Sequence, residues 1–258
     1  MIHFVGAGPG APDLVTLRGA RLLAAADVVV WAGSLVNPEL LAGCRAGCEL
    51  HDSSRMTLEQ VVGVMAAAHE AGRDVVRLHT GDPCVFGAVR EQMDELAARG
   101  IPYEVVPGVS SFCGAAAALG AELTLPGVSQ TVILTRLEGR TPMPAGEKMP
   151  ALASHGATMA VFLSAGMLAR LAGELLEGGA FGPDTPAALV YKATWPDERV
   201  VRCTVGTLAE AGARSGIDRT ALVLVGDAVG AARPGATAYE RSRLYDPTFE
   251  TGYRPESE

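Results

Sequence analysis

"VGAGPGAPDLVTLRGARLL", residues 5–23, is the stretch on which the reading of this chain turns. Gly6, Gly8 and Ala11 fit the spacing G-x-G-x-x-A of a dinucleotide-binding turn, and apolar residues precede them. Such a turn must pass directly into a helix whose N-terminus faces a pyrophosphate, and an acidic residue must close the next strand. Pro9 and Pro12 instead fix φ and remove two backbone donors from the loop. Asp27 comes before the next apolar run, "VVVW" (28–31), and no carboxylate follows it directly. The stretch therefore reads as a long, rigid strand-to-helix loop with another purpose.

Outward from it, short β-rich runs alternate with helical patterns, the mark of an α/β architecture. "IHFV" (2–5) precedes the loop as a strand, a helix starts near Thr16, and "VVVW" is the second strand. Thr57 and Gln60 have capping-box spacing at the head of a helix whose stripe is Val61, Val64, Met65 and Ala68, with Gly72 as its stop. Strands follow at 74–80, 103–106 and 131–135, separated by helices at "VREQMDELAARG" and "SFCGAAAALG". The segment "RLEGRTPMPAGEKMP" (136–150) lacks periodicity and is rich in Pro, Gly and charge, so it reads as a connection. Alternation then resumes through "TMAVFLS", "MLARLAGELLEGG", "AALVYKA", "RVVRCTV", "TLAEAGARSG" and "ALVLVG" (221–226). The expected organisation is an N-terminal α/β domain over 1–136, a connection over 137–150, a C-terminal α/β domain over 151–230 and a polar, peripheral tail over 231–258.

With 258 residues, 48% hydrophobic and 19% charged, the chain has ample material for such a core. No apolar run approaches the roughly 20 residues that span a bilayer, and no export signal opens the sequence, so a cytoplasmic location is expected. A net charge of −8 argues against nucleic acid as a partner. The five cysteines (44, 48, 84, 113 and 203) contain no C-x-x-C and read as reduced, structural thiols; no metal site is expected. Walker, G-x-S-x-G and H-E-x-x-H motifs are missing, and Ser110 and Ser111 lack evident His and Asp partners. Of the five histidines, only His79 adjoins a candidate loop.

Two more loops leave strands in the first half: "HTGDPCVFG" (79–87) and "PGVSSFCG" (107–114). In a mainly parallel sheet they would meet the first loop beyond the strands' carboxyl ends, where ligands bind. Gly81 and Gly108 would permit close backbone approach, Asp82 could accept hydrogen bonds from a ligand, and Ser110 and Ser111 would offer hydroxyls at a helix start. Taken singly, Gly-Asp-Pro is an ordinary turn and Ser-Ser an ordinary cap.

In combination the three loops resemble the tetrapyrrole methylases. "VGAGPGAPDLVTLRG" is similar to the family's G-x-G-P-G-x-P-x-L-[LV]-T-x-x-G opening, "RLHTGDPCVFG" to its L-x-x-G-D-P-x-x-[FY] segment, and "VVPGVSSF" to its P-G-[IV]-[ST]-[SA] loop, in the same order from residue 2 to about 228. The resemblance implies two α/β domains with a ligand cleft between them, S-adenosylmethionine as methyl donor, a small-molecule tetrapyrrole substrate, no metal and a homodimer. Carried over by motif, the donor site would use Pro9, Thr80, Gly81, Asp82, Ser110 and Ser111, with Ala165, Ala188 and Ala221 in the second domain; Ala165 departs from the Met frequent in relatives. "AGSLVNPELL" and "LTRLEGRTPMP" (134–144) resemble the branch acting at C11 of precorrin-4, metal-free or cobalt-containing. Gly33 and Ser34 stand where methylases of uroporphyrinogen III tend to carry a carboxylate. Diphthine synthases and ribosomal RNA ribose methylases share the fold but lack "EGRTP". A module that binds the donor without transferring methyl is the third reading.

A carboxylate-rich substrate calls for Arg and Lys, since arginine holds carboxylates through paired donors. Arg136, Arg140 and Lys192 are the first candidates, then Arg55 and Arg199. No residue stands out as a catalytic base; Tyr191 and Lys192 are named only because they end a second-domain strand.

Overall fold

The structure, a computed structural model, describes residues 1–231 and 238–254. The chain divides into two compact units, Met1–Gly114 with Lys192–Glu198, and Ala115–Tyr191 with Arg199–Glu258.

The first unit begins with β1 (Ile2–Gly6), α1 (Leu17–Ala25), β2 (Val28–Trp31) and β3 (Glu49–Asp52). It continues with α2 (Leu58–Glu70), β4 (Val75–His79), α3 (Arg90–Ala98), β5 (Tyr103–Val106) and the start of α4 (Ser111–Leu119). The strands form one sheet in the order β3-β2-β4-β1-β5, and every pair is parallel. Parallel neighbours require crossover connections, here mostly helical, and parallel pairing places all strand carboxyl ends on one edge. Alternation sorts the side chains to two faces: Ile2, Phe4, Val28 and Val30 pack with Val61, Val62 and Met65 of α2, whereas Val5, Val29, Val76 and Leu78 pack around Leu23 of α1.

Local signals hold where they were strong. Thr57 Oγ1 accepts the Gln60 amide while Gln60 Oε1 accepts the Thr57 amide, the reciprocal box expected at the head of α2. Strand β3, "ELHD", lies outside every expected element. It is largely exposed and owes its conformation to pairing with β2, from Val28 with Glu49 to Trp31 with Asp52.

The second unit contains β6 (Val132–Arg136), α5 (Met149–Ala153), β7 (Thr158–Phe162), α6 (Leu168–Glu177) and β8 (Pro186–Tyr191). It is completed by β9 (Arg199–Thr204), α7 (Leu208–Ser215), β10 (Ala221–Val225) and the short α8 (Asp227–Gly230). Its sheet, β6-β7-β10-β8-β9, is mixed: β6 and β7 are parallel, and the other pairs antiparallel. Met159, Leu171, Leu175, Leu189, Leu208 and Val223 are the centre of its core.

The expected boundary at 136/137 is corrected. Strand β6 pairs with β7 along its whole length, from Val132 with Thr158 to Arg136 with Phe162, and so belongs to the second sheet. The division falls inside α4 instead, and residues 192–198, between β8 and β9, group with the first unit. The Pro- and Gly-rich stretch expected to connect the two domains lies within the second unit and holds a 3-10 turn at Ala145–Glu147 and the start of α5. Of the expected polar tail, residues 232–237 and 255–258 lie outside the described residues; Arg243–Tyr245 forms a helical turn, and the amide of Glu240 donates to the carbonyl of Pro126.

Candidate functional site

The three glycine loops of the first unit meet beyond the carboxyl edge of its sheet. The Ala7 amide continues from β1 to the His79 carbonyl at 2.7 Å, and Gly8 and Gly81 exchange amide-to-carbonyl bonds at 3.2 and 2.9 Å. A Cβ on Gly6 would lie 2.5 Å from Cα of Gly108 and 2.6 Å from the Gly81 carbonyl oxygen, so the close approach leaves no room for a side chain. Asp82 joins the second loop to the third. Its Oδ1 accepts the Cys84 amide at 2.8 Å and its Oδ2 the Gly108 amide at 2.9 Å. Sequence reasoning gave this carboxylate to a ligand; in the fold both of its oxygens hold backbone.

The first loop does not enter a helix directly. A 3-10 turn at Pro12–Leu14 intervenes, and α1 begins only after Thr16, whose Oγ1 accepts the Gly19 amide. This geometry bears out the reading against a dinucleotide turn. Pro9 and Gly10 are held from two directions. Buried Asn37 donates to the Gly10 carbonyl at 3.0 Å, and Thr194 Oγ1 accepts the Ala11 amide at 2.9 Å, with the Trp195 ring packed against Gly10. Asn37, Thr194 and Trp195 were missed as site-building residues. Asn37 lies within the quoted "AGSLVNPELL", but nothing local marks its side chain as the partner of a carbonyl 27 positions away.

Around this backbone junction, the hydroxyls of Thr80, Ser110 and Ser111 carry no hydrogen bond among the described residues. Gly81 sits against the start of α4, where an added Cβ would be 3.3 Å from the Ser111 amide. Uncommitted hydroxyls beside a rigid backbone edge and a helix start are a donor set suited to a polar small molecule.

The second-unit positions diverge. Ala165 is buried in the turn Ala165–Met167 after β7, and Ala221 opens β10 half-buried. Ala188 has no exposed surface and lies mid-strand, registered with Leu224 on one side and Arg202 on the other. Its side chain and its backbone are both enclosed.

The basic candidates are sorted by their partners. Arg136 turns back on its own loop and donates to the carbonyls of Thr141 at 3.2 Å and Pro142 at 2.9 Å. Glu138 accepts the Met143 amide at 3.1 Å, and the buried Ser164 hydroxyl accepts the Leu137 amide at 2.9 Å. "LEGRTP" is thus a braced loop. Arg199 lies over the Tyr191 ring and donates to the Ser215 carbonyl. Lys192 pairs with Asp197 at 2.7 Å and lies over the Trp195 ring. Arg140 is exposed, with no hydrogen bond or ion pair among the described residues.

All five cysteines are free thiols; burial pushes those of Cys44 and Cys203 up to about 11. Among the described residues no group of three or more His, Cys, Asp or Glu side chains could hold a metal ion, and no helix is long and apolar enough to cross a membrane.

The first unit thus defines a class: an α/β protein whose parallel sheet ends in a ligand edge made of three interlocked glycine loops. Residues 1–209 match the family model of the tetrapyrrole (corrin/porphyrin) methylases, and the chain belongs to that family. It is 50% identical over 253 residues to a cobalt-precorrin-4 C(11)-methyltransferase of Methanocaldococcus jannaschii, covering 98% of this chain and 95% of that protein. It is 45% identical to a precorrin-4 C(11)-methyltransferase of Pseudomonas aeruginosa, covering 98% of both. The solved structure of a cobalt-precorrin-4 methyltransferase superposes with a TM-score of 0.86 at 48% identity, over 88% of this chain and 95% of that one. A uroporphyrin-III C-methyltransferase from Thermus thermophilus, solved in complex with S-adenosyl homocysteine, gives 0.73 at 31% identity over 88% and 92%.

Proposed function

We propose that this protein is an S-adenosylmethionine-dependent C-methyltransferase that methylates C11 of precorrin-4, giving precorrin-5, or the cobalt-containing pair, in cobalamin biosynthesis. The observation that carries the reading is the junction of the three loops, where the Thr80, Ser110 and Ser111 hydroxyls carry no hydrogen bond among the described residues, in a chain so similar to relatives named for that reaction.

Bound S-adenosylmethionine would supply an electrophilic methyl group on a sulfonium. Pro9, Thr80, Gly81, Ser110 and Ser111 would hold that donor, and Ala165 and Ala221 complete the proposed set. Asp82 contributes by keeping the second and third loops in register. Orientation is the chief service such a site performs, and holding two reactants in line is worth about 7–11 kcal/mol. The attacking carbon belongs to an electron-rich macrocycle and the sulfur loses its charge, so neither a nucleophilic side chain nor a metal is called for. Arg140, exposed on the braced loop, is the proposed cation for a substrate carboxylate. A cytoplasmic homodimer without nucleic-acid partners completes the reading, in keeping with the charge of −8.

The test is direct. Incubation with S-adenosylmethionine carrying a ¹³C methyl and freshly generated precorrin-4, in parallel with cobalt-precorrin-4, should place one labelled methyl at C11 by carbon NMR. Transfer to neither acceptor, with adenosylhomocysteine bound tightly, would retain the donor and overturn the acceptor.

A further inference from the structure

The first unit contains a pocket of about 240 Å³ between the ends of β2 and β4 and the helices α2 and α3. Its walls include Ala32, Leu35, Met56 and Phe86, and the polar groups on it include Arg77 and His79. Residues 75, 77 and 79 of β4 share one sheet face, so the strand places a cation and an imidazole at the end of an otherwise apolar layer. Both are buried: 6% of Arg77 and 4% of His79 is exposed.

Neither side chain is fully answered by the protein. Arg77 donates through Nε to Gln92 Oε1 at 2.9 Å and through Nη1 to the Val30 carbonyl at 3.1 Å, and no carboxylate pairs with it among the described residues. Among the described residues His79 Nε2 is buried without a hydrogen-bond partner. A buried cation facing neutral acceptors is costly unless a counter-charge arrives, and a buried ring nitrogen left unpaired is costly too. Burial lowers the arginine only to about 10, so it stays charged at neutral pH. The same Gln92 donates through Nε2 to the carbonyl of Ala88 at 2.9 Å. Ala88 and Phe86 both have left-handed backbone, at φ 49 and 55, so Gln92 ties the aim of Arg77 to a strained rim. The carboxylate on the pocket wall, Glu91, is exposed.

We infer that this pocket is a carboxylate subsite, in which Arg77, aimed by Gln92 and flanked by His79, receives one carboxylate-bearing side arm of the tetrapyrrole. The inference rests on the functional reading above for the identity of the ligand. The volume suits an arm and not a macrocycle, since pockets for whole drug-sized ligands begin at about 300 Å³. Guanidinium and carboxylate are matched in geometry as well as charge.

Propionate is the probe, titrated at constant ionic strength into the full chain labelled with ¹⁵N-histidine, His79 being assigned from His79→Gln. Saturable movement of the His79 ring nitrogens is expected. With near-ultraviolet circular dichroism as the check on the fold, the deciding variant is Gln92→Glu, which sets an internal carboxylate against Arg77 and gives up the bond to the Ala88 carbonyl. It should abolish the propionate response and raise the tetrapyrrole KM about tenfold or more, while adenosylhomocysteine affinity is unchanged. No movement of His79, an undiminished response in Gln92→Glu, or tighter binding of inorganic phosphate than of propionate would overturn the subsite. A wild-type protein that answers propionate but binds no adenosylhomocysteine would support the subsite and overturn the methyltransferase reading, so the two failures are separable.

Discussion

Oδ2 of Asp82 accepts the backbone amide of Gly108 at 2.9 Å across a separation of 26 residues, and Oδ1 of the same carboxylate accepts the amide of Cys84. One side chain thereby locks two of the three glycine loops. Hydrogen bonds to a charged acceptor contribute about 1.5–3 kcal/mol. Asp82→Ala should therefore lower unfolding free energy by about that amount and weaken adenosylhomocysteine binding together. Denaturant titration and calorimetry read the two quantities. Full stability with lost binding would return Asp82 to direct ligand contact, and no change in either would remove it from the site.

The contact of Gly6 with Gly108 and Gly81 makes a second prediction. Gly6→Ala drives a methyl against the backbone of both other loops, which cannot yield as a flexible side chain would. Overpacking costs about 1–3 kcal/mol, and donor affinity should fall with it. Ala at Gly63 of α2, which meets nothing within 4 Å, is the matched control and should leave binding unchanged. Equal behaviour of the two variants would show that loop packing does not control the site.

His79 carries a pH signature. Burial, with Arg77 nearby, pushes its pKa down to about 3 from an ordinary value near 6.5. The unfolded chain therefore takes up this proton before the folded one does. Its contribution to stability is complete above about pH 6.5 and is lost as pH falls toward 3, at up to about 1.4 kcal/mol per pH unit. Chemical unfolding of wild type and His79→Gln between pH 7 and 4 should show the wild type losing, on acidification, stability that the variant keeps. Parallel curves would mean that His79 is not held neutral.

The two arginines of the "TRLEGRTP" segment should separate. Arg136 braces its own loop through the Thr141 and Pro142 carbonyls, so Arg136→Ala should lower the melting temperature and loosen residues 137–142 to proteolysis. Arg140→Ala should leave the melting temperature unchanged and raise the tetrapyrrole KM. A common effect of both on stability alone would assign the whole segment to structure.

What the sequence determined by itself is local. The capping box at Thr57, the stripe of α2, the extent of β2 and β5 and the rigidity of the Pro9–Pro12 loop depend on residues within a few positions of one another, and each was readable there. The three loops were also visible, and so was the meeting they would make if the sheet were parallel. Tertiary structure alone decided the rest. Strand β3 has no apolar alternation and exists because β2 offers it an edge, and β6 joined the second sheet because β7 offers it a register of five residue pairs. Asp82 gives its oxygens to backbone amides, Lys192 pairs with Asp197, and among the described residues Arg77 keeps a buried charge with no carboxylate paired to it. A side chain's type states which bonds it is able to make. Which partner satisfies it depends on segments brought together by burial of the core, and those contacts leave no periodic trace along the chain.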